Sequence, residues 1–185
     1  MKRIIAVAIY MALALGAIPS HADTAAAALR TGDMKKLLFH SAPKPVPTVL
    51  FDLADGAGTR SLQDYEGKYV LLNFWATWCA PCRHEMPMLS ALQTQFGGDQ
   101  FEVVTIATGR NSPAGIKKFF NDSKIDNLPR YQDPKQKLAS QMGVFGLPMT
   151  VIIDPESKEI ARLRGDADWA SESAKAIIMS LISKK

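Results

Sequence analysis

The chain has 185 residues, of which 47% are hydrophobic, and this is enough for one domain with a proper core. Its 22 Lys and Arg residues against 18 Asp and Glu residues form no polybasic block and do not alternate with aromatic residues, which argues against nucleic acid as a partner. Two cysteines and three scattered histidines do not readily supply the four ligands of a zinc site.

The N-terminus has the pattern of a secretory signal. Lys2 and Arg3 precede an apolar run at 4–18. Ser20 and Ala22 are small residues at the two positions that a signal peptidase recognises before its cleavage site. We predict cleavage after Ala22, because the apolar run is shorter than the roughly 20 residues of a membrane-spanning helix. The expected location is periplasmic, with a soluble protein after cleavage or a membrane-anchored one if the signal is retained.

Residues 23–46 are predicted to form an N-terminal helix and a proline-rich linker. An alanine run and apolar residues at helical spacing favour a helix over 23–40. Closely spaced prolines then favour an extended chain. The predicted organisation is therefore a signal peptide at 1–22, this extension, and one domain at 47–185.

The rest of the chain alternates between strand and helix patterns. Nearly unbroken apolar runs at 69–75 and 101–107 are typical of strands that are covered on both faces. The predicted strands are 48–52, 69–75, 101–107, 150–154 and 159–163, and the predicted helices are 80–96, 113–122, 134–142 and 168–182. This order predicts an α/β sandwich with a mixed central sheet.

The stretch Asn-Phe-Trp-Ala-Thr-Trp-Cys-Ala-Pro-Cys at 73–82 holds the only two cysteines of the chain. The spacing of Cys79 and Cys82 on one helical turn lets their sulfurs join as a disulfide or stand as two thiols. A strand, a Cys-x-x-Cys and a helix in succession indicate a thiol–disulfide redox site. A purely structural disulfide is disfavoured, because closing so short a loop restrains the unfolded chain very little.

The position of each cysteine predicts its role. Cys79 is expected at the helix N-terminus, where unpaired N–H groups and the helix dipole favour a thiolate. We therefore expect Cys79 to be the sulfur that attacks a substrate disulfide or is attacked by a substrate thiol. Cys82, one turn inside, is expected to be more buried and to resolve the mixed disulfide.

Two motifs carry a family resemblance. Trp-Cys-Ala-Pro-Cys at 78–82, followed by Pro87, together with Gly-Leu-Pro-Met-Thr at 146–150, resembles the thioredoxin superfamily. The longer stretch 72–87 resembles the TlpA group of membrane-anchored or periplasmic thiol:disulfide interchange proteins, which has relatives in cytochrome c maturation. Residues 168–172 also resemble this group.

The resemblance covers about 47–185 and implies a thioredoxin-like three-layer sandwich. Residues 109–133 then correspond to the helix–strand insertion of the TlpA group. No cofactor and no metal are expected.

Several site residues follow from the resemblance. Pro148 matches a cis-proline that faces the disulfide and hinders metal capture, and Leu147 would offer its backbone to a substrate strand. Trp78, Ala80 and Pro81 would also contact the substrate. Glu85 matches an acidic residue that tunes the cysteines, although a solvated helix carboxylate is the alternative.

The chain departs from thioredoxin at Asn73. Thioredoxin has at this position, six residues before its first cysteine, a buried aspartate that accepts the proton of the resolving thiol. Asn73 cannot titrate, so we expect Glu85 to relay this proton through water.

The residues next to the Cys-x-x-Cys argue for or against other functions of this motif. Covalent haem attachment needs His directly after the second cysteine, where Arg83 stands, and a peroxidatic site would have Thr in place of Ala76. A copper(I) chaperone stays open, because two thiolates with His84 or Met86 suit a soft ion.

The direction of electron flow is predicted from the residues between the cysteines. Ala80-Pro81 resembles the Gly-Pro of reductants more than the Pro-His of oxidants. We therefore expect a monomeric reductant of protein disulfides that a membrane thiol donor recharges. Its expected clients are metal-site or haem-site cysteines in cytochrome c or cytochrome oxidase biogenesis. A disulfide oxidase or isomerase is the alternative.

Overall fold

A computed structural model describes residues 21–183. The predicted signal peptide at 1–22 lies almost entirely outside these residues and stays a prediction. The helices are α1 (His21–Ala28), α2 (Ala80–Phe96), α3 (Pro113–Asp122), α4 (Lys137–Gln141) and α5 (Glu172–Ile182), and short 3-10 helices cover Gly32–Lys36 and Leu62–Tyr65. None of the helices in the described range is both long and apolar enough to cross a bilayer.

Eight strands form one mixed sheet. They are β1 (Leu38–Pro45), β2 (Phe51–Leu53), β3 (Thr59–Arg60), β4 (Tyr69–Trp75), β5 (Phe101–Thr108), β6 (Tyr131–Asp133), β7 (Met149–Ile153) and β8 (Lys158–Arg164). Their order is β1-β8-β7-β4-β5-β6-β2-β3. β5 runs parallel to β4 and β6, and the other pairs are antiparallel. The predicted mixed sheet is therefore confirmed.

The sheet is covered on both faces. On β4, Leu71 and Trp75 belong to a core shared with α2, α3 and α5, whereas Leu72 and Phe74 belong to a second core shared with α4. Strand side chains alternate between the faces, so Asn73 lies on the same face as Leu71 and Trp75, towards α2. This placement brings a polar amide beneath the helix that carries the cysteines.

The N-terminal segment differs from its prediction. Only α1 and a 3-10 helix form within 23–40, and residues 38–45 form strand β1 instead of a linker. β1 pairs with β8 from Leu38 opposite Arg162 to Pro45 opposite Lys158. The prolines are tolerated because β1 is an edge strand, where a missing N–H need not face a neighbour. The domain boundaries at 23–46 and 47–185 stay a prediction.

The segment between α1 and β1 also contacts the first turn of α5 and the residues before it. Four hydrogen bonds join them: Thr31 N–H to Ser173 Oγ (3.0 Å), Ser173 Oγ–H to the Leu29 carbonyl (2.8 Å), Asp168 N–H to Asp33 Oδ2 (3.2 Å) and Lys36 Nζ to the Asp166 carbonyl (2.6 Å). The N-terminal extension is thus packed on the domain by contacts from both β1 and the turn that precedes it.

The last helix begins later than predicted. α5 starts at Glu172, because Ser171 caps it by accepting the N–H of Ala174 at 3.3 Å. Trp169 therefore lies in the connection before the helix, where it is buried. α2 and α3 have the predicted bounds, α4 is shorter than 134–142, and α3 with β6 forms the predicted helix–strand insertion.

Candidate active site

The two cysteines form a disulfide at the start of α2, with Cα atoms 5.3 Å apart. Cys79 is the N-cap residue, and its Sγ accepts the backbone N–H of Cys82 at 3.3 Å. Cys79 is 6% exposed and Cys82 is fully buried, so of the two residues only Cys79 keeps any exposed surface. The disulfide and the relative burial of the two cysteines agree with the sequence prediction.

Pro148 lies at the same end of the sheet as the cysteines. The Leu147–Pro148 peptide bond is cis, as predicted. Phe74 pairs with Met149, so Pro148 comes just before β7 at the end where β4 leads into the active-site loop. The antiparallel pairing of β4 and β7 is therefore what brings these two distant parts of the chain together.

The predicted substrate-contacting residues lie around the disulfide. Trp78, Ala80 and Pro81 are exposed on the loop and on the first turn of α2, and Leu147 is half-buried. Trp78 and Leu147 line the same groove of about 690 Å³. The arrangement offers exposed backbone and apolar surface next to Cys79, but the substrate contacts themselves stay a prediction.

Glu85 is fully buried one helical turn after Cys82, which rules out a solvated carboxylate. Its Oε1 accepts Asn73 Nδ2 at 2.7 Å, and its Oε2 accepts Trp169 Nε1 at 3.2 Å. Asn73 Nδ2 also donates to Thr150 Oγ1 at 2.9 Å. From the sequence, Asn73 was expected only to lack a titratable group. In the structure its amide also donates a hydrogen bond to Glu85, the expected proton relay.

Burial raises the pKa of Glu85 from 4.5 to about 7. Hydrogen bonds from Asn73, Trp169 and the backbone N–H of Ala167 stabilise the ionised form but do not offset the desolvation. The charge of Asp166 raises the pKa further. A carboxyl group with this pKa takes up and releases a proton near neutral pH.

Two residues around Glu85 were not predicted from the sequence: Thr150, which accepts a hydrogen bond from Asn73, and Trp169, which donates one to Glu85. Thr150 was expected only as a strand residue, and Trp169 only as part of a helix. The similarity of 168–172 to the TlpA group was the one signal that pointed to Trp169. Its contact with Glu85 joins residues 84 positions apart, which no local pattern reveals.

A side chain from the next loop holds the loop before Cys79. Asn111 Oδ1 accepts both the backbone N–H of Thr77 at 2.7 Å and its hydroxyl at 2.9 Å. Asn111 Nδ2 donates in turn to the Thr108 carbonyl at 2.9 Å. These bonds fix the backbone that presents Trp78 and Cys79, and the sequence contained no motif that predicted them.

A buried ion pair supports the loop that leads to Pro148. Glu159 accepts two bonds from Arg162, both at 2.6 Å, and one contact from His40 Nε2 at 2.5 Å. Arg162 also donates to the Met142 carbonyl at 3.0 Å. Burial opposes ionisation of Glu159, but the bonds and charges of Arg162 and His40 outweigh it and lower the pKa of Glu159. The network joins β1 and β8 to the end of α4.

Among residues 21–183, no group of three or more His, Cys, Asp and Glu side chains is arranged to hold a metal ion. Of the side chains considered for copper, Met86 is buried in the core, and both sulfurs are bonded to each other in this form. His84 is exposed.

Residues 44–161 match the model of the AhpC/TSA family. The thiol-disulfide oxidoreductase ResA of Bacillus subtilis is 34% identical over 116 residues, which are 62% of this chain and 64% of that protein. ResA of Bacillus anthracis is 33% identical over 105 residues, 57% of this chain and 60% of that protein. The chain therefore matches less than two thirds of the length of these curated relatives.

Solved structures of several redox proteins have a similar fold. A DsbF homologue from Corynebacterium diphtheriae superimposes with a TM-score of 0.66 at 28% identity, over 82% of this chain and 97% of that one. The pneumococcal exposed lipoprotein thioredoxin Etrx1 from Streptococcus pneumoniae has a TM-score of 0.59 at 31% identity, over 74% of this chain and 98% of that one. The predicted thioredoxin-like α/β fold is confirmed.

Proposed function

The chain belongs to the AhpC/TSA family, and we propose that it is a thiol–disulfide oxidoreductase that reduces disulfides in client proteins. The observation that carries the proposal is the Cys79–Cys82 disulfide at the start of α2, with Cys79 the more exposed of the two cysteines. The cis-Pro148 at the same sheet end and the similarity to proteins named thiol-disulfide oxidoreductase ResA support it.

The proposed reaction begins with both cysteines reduced. The Cys79 thiolate, which the N-terminus of α2 stabilises, attacks one sulfur of a client disulfide. A bond forms between Cys79 and that sulfur, the client disulfide breaks, and the other client sulfur leaves and takes up a proton. Cys82 then loses its proton and attacks Cys79, which restores the disulfide and releases the client as a dithiol. Two electrons pass to the client. Of the two protons that the client thiols take up, one balances the proton that Cys82 loses, and the other comes from water, to which Cys79 lost its proton on becoming a thiolate.

We propose that Glu85 accepts the proton that Cys82 loses when it attacks Cys79. Glu85 follows Cys82 by three residues in α2, so the two side chains lie on one face of the helix. Its raised pKa of about 7 matches a group that accepts a proton from a thiol and returns it near neutral pH. The unpartnered Asn73 Oδ1 in this buried cluster is an acceptor that a bridging water would satisfy.

The proposed setting is extracytoplasmic, where a membrane thiol donor keeps the protein reduced and it acts as a monomer. The signal-like sequence at 1–22 supports this setting, and the similar Etrx1 is an exposed lipoprotein. The proposed clients are cysteines of haem or copper sites in cytochrome c or cytochrome oxidase biogenesis. This client class rests on the resemblance of 72–87 to the TlpA group.

The proposal is tested by trapping clients on Cys82→Ser in the extracytoplasmic compartment of the native host. Without Cys82 the mixed disulfide cannot resolve, so clients are expected to stay bonded to Cys79 and to be released by reductant. The matched control is the double variant with Cys79→Ser, which should trap nothing.

Equal recovery from the single and double variants would overturn the assignment. A reduction potential more positive than about −150 mV would overturn the reducing direction, because thioredoxin-like reductants lie near −270 mV. Stoichiometric copper in the reduced, purified protein would favour the chaperone instead.

A further inference from the structure

The groove beside the disulfide has features that the proposed redox chemistry does not use. It has a volume of about 690 Å³ and begins at Trp78, the residue before Cys79. The loop before cis-Pro148 also lines it, so a chain bonded to Cys79 would have its neighbouring residues in or near this groove. Besides Trp78 and Leu147, the lining residues that matter here are Thr108, Arg110, Lys135 and Phe145.

Two aromatic rings at the groove are exposed to solvent. Phe145 is 90% exposed and Trp78 is 66% exposed, more than any other large hydrophobic residue in the described part of the chain. Neither ring contributes to a core cluster, so folding gains little from either residue. Exposed aromatic residues that flank a reactive group are typical of a surface that binds another protein.

The charge of the groove has one sign. Arg110 and Lys135 line it, and no Asp or Glu is among its lining residues. Within residues 21–183, neither cation takes part in an ion pair. The nearby Asp133 is buried, and its carboxylate accepts the N–H groups of Lys137 and Ala139 at the start of α4. The two positive charges therefore have no internal counter-charge and face the groove's occupant.

The wall of the groove also holds an unsatisfied polar group. Thr108 is 4% exposed, and its Oγ1 has no hydrogen-bond partner. An unpaired buried hydroxyl costs free energy unless a ligand or water reaches it. The groove thus offers aromatic contact and positive charge side by side, and the Thr108 hydroxyl lies buried in its wall.

We propose that this groove binds the extended segment around a client's disulfide and selects segments with Asp or Glu next to the attacked cysteine. The acidic side chain pairs with Arg110 and Lys135, and the apolar part of the segment lies against Trp78 and Phe145. The proposal rests on the proposed function, because it specifies which protein disulfides the same site reduces.

The test uses three synthetic peptides with one internal disulfide each, identical except for Glu, Gln or Lys beside the first cysteine. The reduced full-length protein is mixed with each peptide, and the second-order rate constant of reduction is measured at low and high salt. We expect the Glu peptide to react about fivefold faster than the Gln peptide and the Lys peptide to react slowest, since exposed charge pairs contribute modestly and are screened by salt.

Matched variants locate the effect. The double variant Arg110→Gln/Lys135→Gln should lose the preference for Glu, whereas Lys118→Gln, which removes an exposed cation on α3, should keep it. Phe145→Ser should slow all three peptides alike, because the ring supplies apolar contact and no charge.

Hydroxyethyl disulfide, a small neutral disulfide, tests the proposed disulfide reduction separately from the preference of the groove for acidic segments. If every protein reduces it but the three peptides react at equal rates, the groove proposal is wrong and the proposed function stands. If the wild-type protein reduces neither hydroxyethyl disulfide nor any peptide, the proposed function fails first. Retention of the Glu preference in the Arg110→Gln/Lys135→Gln variant would also overturn the assignment to these cations.

Discussion

Replacing Glu85 with Gln should remove a pH dependence of stability that the buried carboxyl imposes. Its pKa is raised from 4.5 to about 7, so between these values the folded protein binds more protons than the unfolded chain. The stability that the protonated carboxyl provides is fully present below about pH 4.5 and is lost as the pH rises through about 7. At about 1.4 kcal/mol for each pKa unit, the loss is about 3 kcal/mol.

The assay is urea unfolding of the disulfide-intact protein at pH 4.5 and at pH 8. We expect the wild-type protein to lose about 3 kcal/mol more than Glu85→Gln between these two conditions. The amide costs stability at both pH values, because it cannot accept all the bonds that Glu85 receives, but this cost does not vary with pH. Other titrating groups, such as Asp154 and Glu159, are present in both proteins and cancel in the comparison.

Glu172→Gln is the matched control, since the Glu172 side chain is 91% exposed and should behave as the wild type does. If Glu85→Gln and wild type show the same pH dependence within about 0.5 kcal/mol, the carboxyl is not held in the environment described, and its assignment as proton relay loses its basis.

Three further changes have defined outcomes. Asn73→Ala removes a donor to Glu85 and should raise the pKa of Glu85 above about 7, which the same unfolding series measures as a midpoint at higher pH. Arg162→Met leaves Glu159 buried with one partner fewer and should cost about 3 kcal/mol in urea unfolding at pH 7; no loss would mean that the ion pair is not formed. Leu89→Ala should cost about 3 kcal/mol with an unchanged slope against urea, because it opens a cavity at a fully buried position.

The elements that were predicted correctly have local causes. β4 is a run of apolar residues covered on both faces, and α2 and α3 are preceded by capping residues and carry proline in their first turn. The start of α5 also had a local signal, because Ser171 is a good N-cap residue, but the helical pattern from 168 onwards concealed it.

What could not be predicted depends on partners far away in sequence. β1 looks like a linker by composition, and only β8 makes it a strand. The burial of Glu85 depends on Trp169 and Asn73, and a helix pattern with a glutamate on it does not tell whether a distant indole covers the carboxylate. The cysteines could be identified because the spacing and the neighbouring residues of a Cys-x-x-Cys are enough to indicate its chemistry. The role of Glu85 could not, because its environment is created by tertiary packing.

The pairing of β1 with β8 sets the order in which the molecule can fold. His40 and Glu159, which meet across this pair, are 119 residues apart, so a chain made from its N-terminus presents β1 long before its partner exists. Contacts this far apart in sequence close large loops and slow folding. During that interval β1 is an unpaired strand that other chains could join. Pro43 and Pro45 remove two backbone N–H donors from β1, which makes it harder for another chain to pair with it. The prolines that make this segment resemble a linker in sequence therefore also protect the incomplete chain from aggregation.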